Sequence, residues 1–225
     1  MGRWSVVCGA SGGLGPAVCR QLLRRGDQVV AVAAPQESRT ELQRLLPEAS
    51  WEQADLTDPS QTAGLWARID RLGDSVRWLV NVTGGYRGGH ALDTSDDTYR
   101  FLVALNLDSC WWSCREGGRR IAEGGGGGIV NFSARPALQG GSGAAAYAVS
   151  KAGVLRLSQV LAEELAPRGV RVNAILPTLI DTAANRANRS EETMRKAVSP
   201  EAIASVVEWL CSDAASSLNG ATLTV

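Results

Sequence analysis

Histidine is almost absent from this chain: His90 is the only one in 225 residues. That scarcity matters because Gly9-Ala10-Ser11-Gly12-Gly13 matches the G-x-S-x-G nucleophile elbow of a hydrolase. A triad in that chain order needs a histidine late in the sheet, and His90 stands well before the last strands. The turn would also follow the first strand, with no earlier strand to supply an oxyanion partner. A serine hydrolase is therefore set aside, and His90 reads as a loop residue. The five cysteines form no C-x-x-C pair. Cys110 and Cys114 are four apart with no histidine nearby, which argues against zinc, so no metal is expected. Cys8, Cys19 and Cys211 sit in apolar runs and read as core thiols, which fits a reducing cytoplasm. Excess charge of either sign is missing too, since 23 basic residues balance 23 acidic ones. Nothing there suggests a nucleic-acid partner. No apolar run reaches membrane-spanning length, so no membrane partner is expected. The N-terminus leads straight into a strand rather than a signal peptide.

What is present is ordinary globular material, 44% hydrophobic and 20% charged, read as one domain over residues 1–225. Strand and helix alternate. Strands are expected at Trp4–Cys8, Gln28–Ala33, Ser50–Gln53, Val76–Asn81, Ile129–Ser133, Val170–Leu176 and Ala221–Val225. Between them lie helical stretches at 41–46, 59–72, 96–122, 147–166 and 201–212, with the run Gly124–Gly128 as a flexible connector. Repeated βα units predict an α/β fold of the doubly wound, Rossmann type. It is a seven-stranded parallel sheet with helices on both faces. A nucleotide would lie across the carboxyl ends of its strands.

Two motifs carry chemistry. Gly9, Gly13 and Gly15 space a turn between the first strand and a helix opened by Pro16. Such a turn lets backbone amides approach a pyrophosphate, although it also reads as a plain tight turn. Tyr147 and Lys151 lie four apart in an alanine-rich helix, on one face. A fixed cation beside a phenol favours the phenolate, so the pair could move a proton to or from a substrate atom.

Seven short motifs occur in order: CGASGGLG, ADLTD, NVTGG, Asn106, YAVSK, and RVNAILP running into TLIDT. With them the chain resembles the short-chain dehydrogenase/reductase family from end to end. The resemblance implies that Gly9, Ser11, Gly13, Leu14 and Gly15 line a pyrophosphate. Asp55 and Leu56 would meet the adenine, and Asn81, Val82 and Gly84 would border its ribose. Tyr147 would be the general acid, and Lys151 would hold the nicotinamide ribose and depress the tyrosine pKa. Asn106 would support the lysine through a water, and Pro177, Ile180 and Thr182 would position the carboxamide. Each has a plainer reading: Asp55 as a helix cap, Asn81 as a strand-end residue, Asn106 as a helix-face amide, Thr182 as a cap after a proline turn.

Two departures stand out. The family places a serine thirteen positions before the tyrosine, where this chain has Ala134; Ser133 is one place early, on the opposite face of a strand unless the strand end bulges. Ser133 is kept as a candidate catalytic residue, with a hydroxyl bonded to backbone as its other reading. The segment 134–147 and the loop Thr83–Gly89 resemble the dihydropteridine reductase branch, which lacks that serine. This implies a small cyclic carbonyl or imine substrate, pterin-like, walled by Gly85, Tyr86, Arg87, Ala134 and Arg186. The second departure is Ala33, which stands where NAD-specific members end the second strand with an acid. That absence favours NADP(H), with NAD(H) possible; Ser38 and Arg39 are in reach of a 2′-phosphate or else are solvated surface. The helices around Trp111 and after Tyr147 have apolar faces beyond what the sheet needs, and the family resemblance implies that they pair into a homodimer or homotetramer. The rival reading is a non-catalytic dinucleotide sensor or partner subunit, which would not need the tyrosine.

Overall fold

The computed structural model describes residues 3–73, 75–139 and 142–225. Seven strands form one sheet in the order β3-β2-β1-β4-β5-β6-β7, every neighbouring pair parallel. They are β1 (Trp4–Cys8), β2 (Gln28–Ala33), β3 (Ser50–Gln53), β4 (Val76–Asn81), β5 (Gly127–Phe132), β6 (Val170–Leu176) and β7 (Thr222–Thr224). The order reverses between β1 and β4, which puts a switch point at the centre of the sheet.

Side chains alternate between the two faces, and the core divides accordingly. Val7, Val29, Ala31, Val80 and Val130 pack with Leu22 of α1 (Gly15–Arg24), Leu42 of α2 (Arg39–Leu45) and Ile203 and Val207 of α10 (Pro200–Leu210). Val6, Val30, Leu79, Ile129 and Val172 pack with Trp66 of α3 (Pro59–Ile69), Ile121 of α5 (Ser109–Glu123) and Val154 of α7 (Ala145–Leu165). All five cysteines are free and buried, as their apolar neighbours imply.

Two stretches differ from expectation. The long helix is interrupted: α4 (Asp96–Val103) passes through a π-helical turn at Ala104–Asp108 before α5. The glycine run is also not all connector, since Gly127 and Gly128 belong to β5. A Cβ at Gly128 would stand 2.8 Å from the Trp78 ring, so the missing side chain makes room for that indole. Among the described residues, no helix is long and apolar enough to cross a membrane, and no three His, Cys, Asp or Glu side chains group as a metal site.

Candidate active site

The loops at the carboxyl ends of the strands enclose a cleft of ≈ 1590 Å³. That exceeds the roughly 300–1,000 Å³ of a site for one drug-sized ligand, so two ligands can lie side by side. The β1–α1 turn forms its floor. Gly9 has φ +82°, and a Cβ there would stand 2.7 Å from the Thr83 nitrogen. Only glycine satisfies both constraints. The Cys8 carbonyl accepts from Val82 N and Thr83 N, locking the β1 and β4 ends together. Ser11, Gly13 and Leu14 line the cleft, whereas Gly15 is outside its lining, where a Cβ would meet the Gly9 carbonyl oxygen at 2.4 Å. A Cβ at Gly13 would come 2.7 Å from Thr182 Cγ2, so glycine keeps the gap between these walls open.

Asp55, Leu56, Val82 and Gly84 line the same cleft, as do Pro177, Ile180 and Thr182. Asp55 accepts from Thr57 N and Oγ1, and Asp58 is the residue that caps α3. Thr182 accepts from Asn185 N and so caps α8 (Ala183–Asn188) while facing the cleft. Asn81 is the exception. Its amide donates to Asn131 Oδ1 at 2.8 Å and to Cys114 Sγ, inside the core between β4, β5 and α5. Its side chain is outside the cleft lining, because the last residue of β4 points into the layer below.

Tyr147 and Lys151 share one wall on α7. Lys151 is buried, and its Nζ donates to the Phe132 carbonyl at 2.8 Å. No carboxylate pairs with it among the described residues, and burial pushes its pKa down to about 8. The tyrosine departs from expectation. Burial, and secondarily Tyr86, push its pKa up to about 12. The lysine, whose Nζ donates to Phe132 O, contributes no lowering that offsets this burial. Tyr86 meets Tyr147 edge-on, with ring centroids 5.0 Å apart. The loop carrying Tyr86 is fixed to the entrance of α7 by Gly89 N to Gly143 O at 2.8 Å and Ala145 N to Gly89 O at 3.1 Å.

Asn106 sits fully buried in the π-helical turn. Its Oδ1 accepts from Gly85 N at 2.9 Å, and its Nδ2 donates to Gly85 O and Ser150 Oγ. It therefore holds the β4–α4 loop against α7, which is the backbone-bonding role of a helix amide. Gly84 is wedged over it: a Cβ there would lie 2.7 Å from Asn106 Oδ1 and 2.9 Å from Lys151 Nζ.

Ser133 also borders the cleft, but its hydroxyl donates to the Lys151 carbonyl at 2.7 Å. The β5 register runs without a bulge to Phe132, so Ser133 faces α7 and Ala134 faces the cleft. Arg87 lines the cleft with its guanidinium 3.7 Å from the Phe101 ring centroid. Arg186 does not line it. It pairs with Asp181 at 2.5 Å at the exposed stem of α8, and Arg189, one turn on, faces the cleft near Tyr86. Sequence reading also missed Glu37. This carboxylate follows β2 by four residues and lines the cleft beside Ser11. Its distance from the strand end hid it from a search of position 33.

These strand-end loops, with a glycine turn at the switch point and a tyrosine–lysine pair opposite, define a dinucleotide-dependent enzyme of the Rossmann type. Residues 9–225 match the family profile described as Enoyl-(Acyl carrier protein) reductase. The chain is 33% identical to the galactitol 2-dehydrogenase (L-tagatose-forming) of Cereibacter sphaeroides, covering 100% of this chain and 93% of that one. It is 30% identical to the D-threitol dehydrogenase of Mycolicibacterium smegmatis, covering 100% and 91%. A solved short-chain type dehydrogenase/reductase from Mycobacterium ulcerans superposes with a TM-score of 0.92 at 26% identity, over 99% of this chain and 88% of that one. The chain belongs to the short-chain dehydrogenase/reductase family. It is an NAD(P)-dependent oxidoreductase.

Proposed function

We propose that this enzyme transfers hydride between a nicotinamide dinucleotide and a small carbonyl or imine substrate, with Tyr147 exchanging the accompanying proton. The observation that carries this reading is the shared wall of Tyr147, Lys151 and Gly84 at one end of a cleft whose other end is the glycine turn. The cradle fits a dinucleotide, because the glycine turn, the β3 and β4 ends and the Tyr147–Lys151 wall line one continuous cleft. When bound, the nicotinamide supplies or accepts the hydride.

The protein's part is binding and proton handling. Ser11, Gly13 and Leu14, at the start of α1, offer backbone donors at the positive end of a helix to a pyrophosphate. Asp55, Leu56 and Val82 receive the adenosine, and Pro177, Ile180 and Thr182 the carboxamide. Lys151 presents a cation to the nicotinamide ribose, and Asn106 fixes the loop above it. Tyr147 Oη makes no hydrogen bond to the described residues, so it is free to donate to a substrate oxygen or nitrogen. With its pKa raised it is protonated at neutral pH, the form needed for reduction.

A cyclic, pterin-like imine or carbonyl is the substrate class we favour. Ala134 offers no second donor, and Ser133 spends its hydroxyl on the backbone. Reduction of C=N needs one proton at nitrogen and no second donor to oxygen. The relatives named for threitol and galactitol favour a second substrate class, a polyol and its ketone. Oxidation or reduction of the nicotinamide followed by absorbance against quinonoid pterins, cyclic imines, ketones and polyols decides between them. Turnover of imines but not ketones supports the first class, and the reverse supports the second. We further propose a homodimer or homotetramer, with exposed Trp111 and Val149 at its interface.

A further inference from the structure

We infer that Glu37 sets the cofactor choice and makes this enzyme specific for NAD(H). The inference rests on the dinucleotide reading of the cleft and deepens it. Ala33 and Ala34 leave the end of β2 without an acid, and the polypeptide restores one from the loop. Glu37 Oε1 accepts from Ser11 Oγ at 2.7 Å and from Ala34 N at 3.0 Å. The loop is itself fastened: Glu37 N donates to Ala34 O, and Gln53 Nε2 of β3 donates to the carbonyls of Ala34, Pro35 and Glu37. The carboxylate therefore stands in a fixed place between the glycine turn and the end of β2. In a dinucleotide laid across this switch point, that place meets the adenosine ribose. Both hydrogen bonds use Oε1, which leaves Oε2 to accept from ribose hydroxyls.

A 2′-phosphate would meet the reverse situation. It would bring a second anion against Glu37 with no cation on that side of the cleft among the described residues. The cations lining the cleft are Arg87, Lys151 and Arg189, all from the β4–α4, α7 and α8 side. Ser38 turns its hydroxyl to cap α2, accepting from Glu41 N. Arg39 lies with Arg44 and Pro47 on a separate surface, outside the cleft. On this proposal the carboxylate four residues later takes the part of the acid whose absence at position 33 favoured NADP(H).

Calorimetric titration of the whole protein with NADH and with NADPH tests the assignment without any substrate. NADH should bind at least tenfold more tightly. Glu37→Gln removes the charge and keeps the size, so it should weaken NADH and strengthen NADPH until the two affinities approach each other. Circular dichroism of the variant monitors its fold, and Glu37→Ala serves as a second variant. Tighter NADPH binding in the unmodified protein, or an NADH preference unchanged in both variants, overturns the role of Glu37 and leaves the dinucleotide reading standing. Binding of neither cofactor overturns both.

Discussion

The ammonium of Lys151 is buried against the backbone carbonyl of Phe132, 2.8 Å away, with no carboxylate among the described residues to neutralise it. An unpaired buried cation is destabilising, and proteins retain one where function requires it.

That burial gives a stability signature. The folded-state pKa near 8 lies below the ordinary 10.5, so the unfolded chain binds more protons between those values. The penalty is full below pH 8 and fades as pH rises toward 10.5. Lys151→Met should therefore stabilise the cofactor-free protein at pH 7. A relief of roughly 3 kcal/mol, partly offset by the orphaned Phe132 carbonyl, leaves a net gain of about 1–2 kcal/mol. Calorimetric scans at pH 7 and above 10 should show a higher Tm for the variant at the lower pH, with the gap narrowing at the higher. A variant less stable at both would refute the unpaired cation.

The same group predicts how cofactor affinity varies with pH. Lys151 is charged below about pH 8 in the free protein and loses its proton above it. Affinity measured by nicotinamide fluorescence should be level below pH 8 and fall above it. In Lys151→Met it should be weaker and free of that step. A step of equal size in the variant would assign it to another group.

Gly84→Ala tests the wedge. Its Cβ would press on Asn106 Oδ1 and Lys151 Nζ, and Asn106 is fixed by three hydrogen bonds. The lysine and the buried amide must both shift. Cofactor affinity and turnover should both drop, on the order of tenfold, from misplacement of a positioning group. A lower Tm should accompany this loss because Asn106 is buried and hydrogen-bonded, and unchanged affinity would place the cofactor elsewhere.

How much of this was legible in sequence follows from the physics of each element. The strands were readable because apolar runs bounded by polar turns are buried on both faces, and β1, β2, β3, β4 and β6 fall where periodicity put them. The glycine turn and the Tyr147–Lys151 pair were readable because local spacing fixes them. The π-helical turn at Asn106 was not, since an extra residue in a helix leaves no periodic mark. Nor were the lysine's bond to Phe132 and the burial that raises the tyrosine pKa, which come from contacts between distant segments. The side chains of Asn81 and Arg186 also lie outside the cleft lining. Their side chains are claimed by Asn131 and by Asp181, partners that spacing alone does not reveal.

The assembly prediction concerns surface the single chain leaves uncovered. Trp111 is 48% exposed and Val149 59%, on helices packed side by side. Light scattering at micromolar concentration should give two or four times the chain mass, and Trp111→Glu should lower it. A monomeric unmodified protein would refute the interface.

The central claim is that Tyr147 exchanges the proton that accompanies hydride transfer. Tyr147→Phe removes one oxygen and keeps the ring that packs against Tyr86. Steady-state turnover with the best substrate, paired with calorimetric titration of the cofactor, is the direct test. We predict a rate loss of roughly 10²–10⁴-fold with cofactor affinity nearly unchanged; turnover equal to that of the unmodified enzyme would contradict the account.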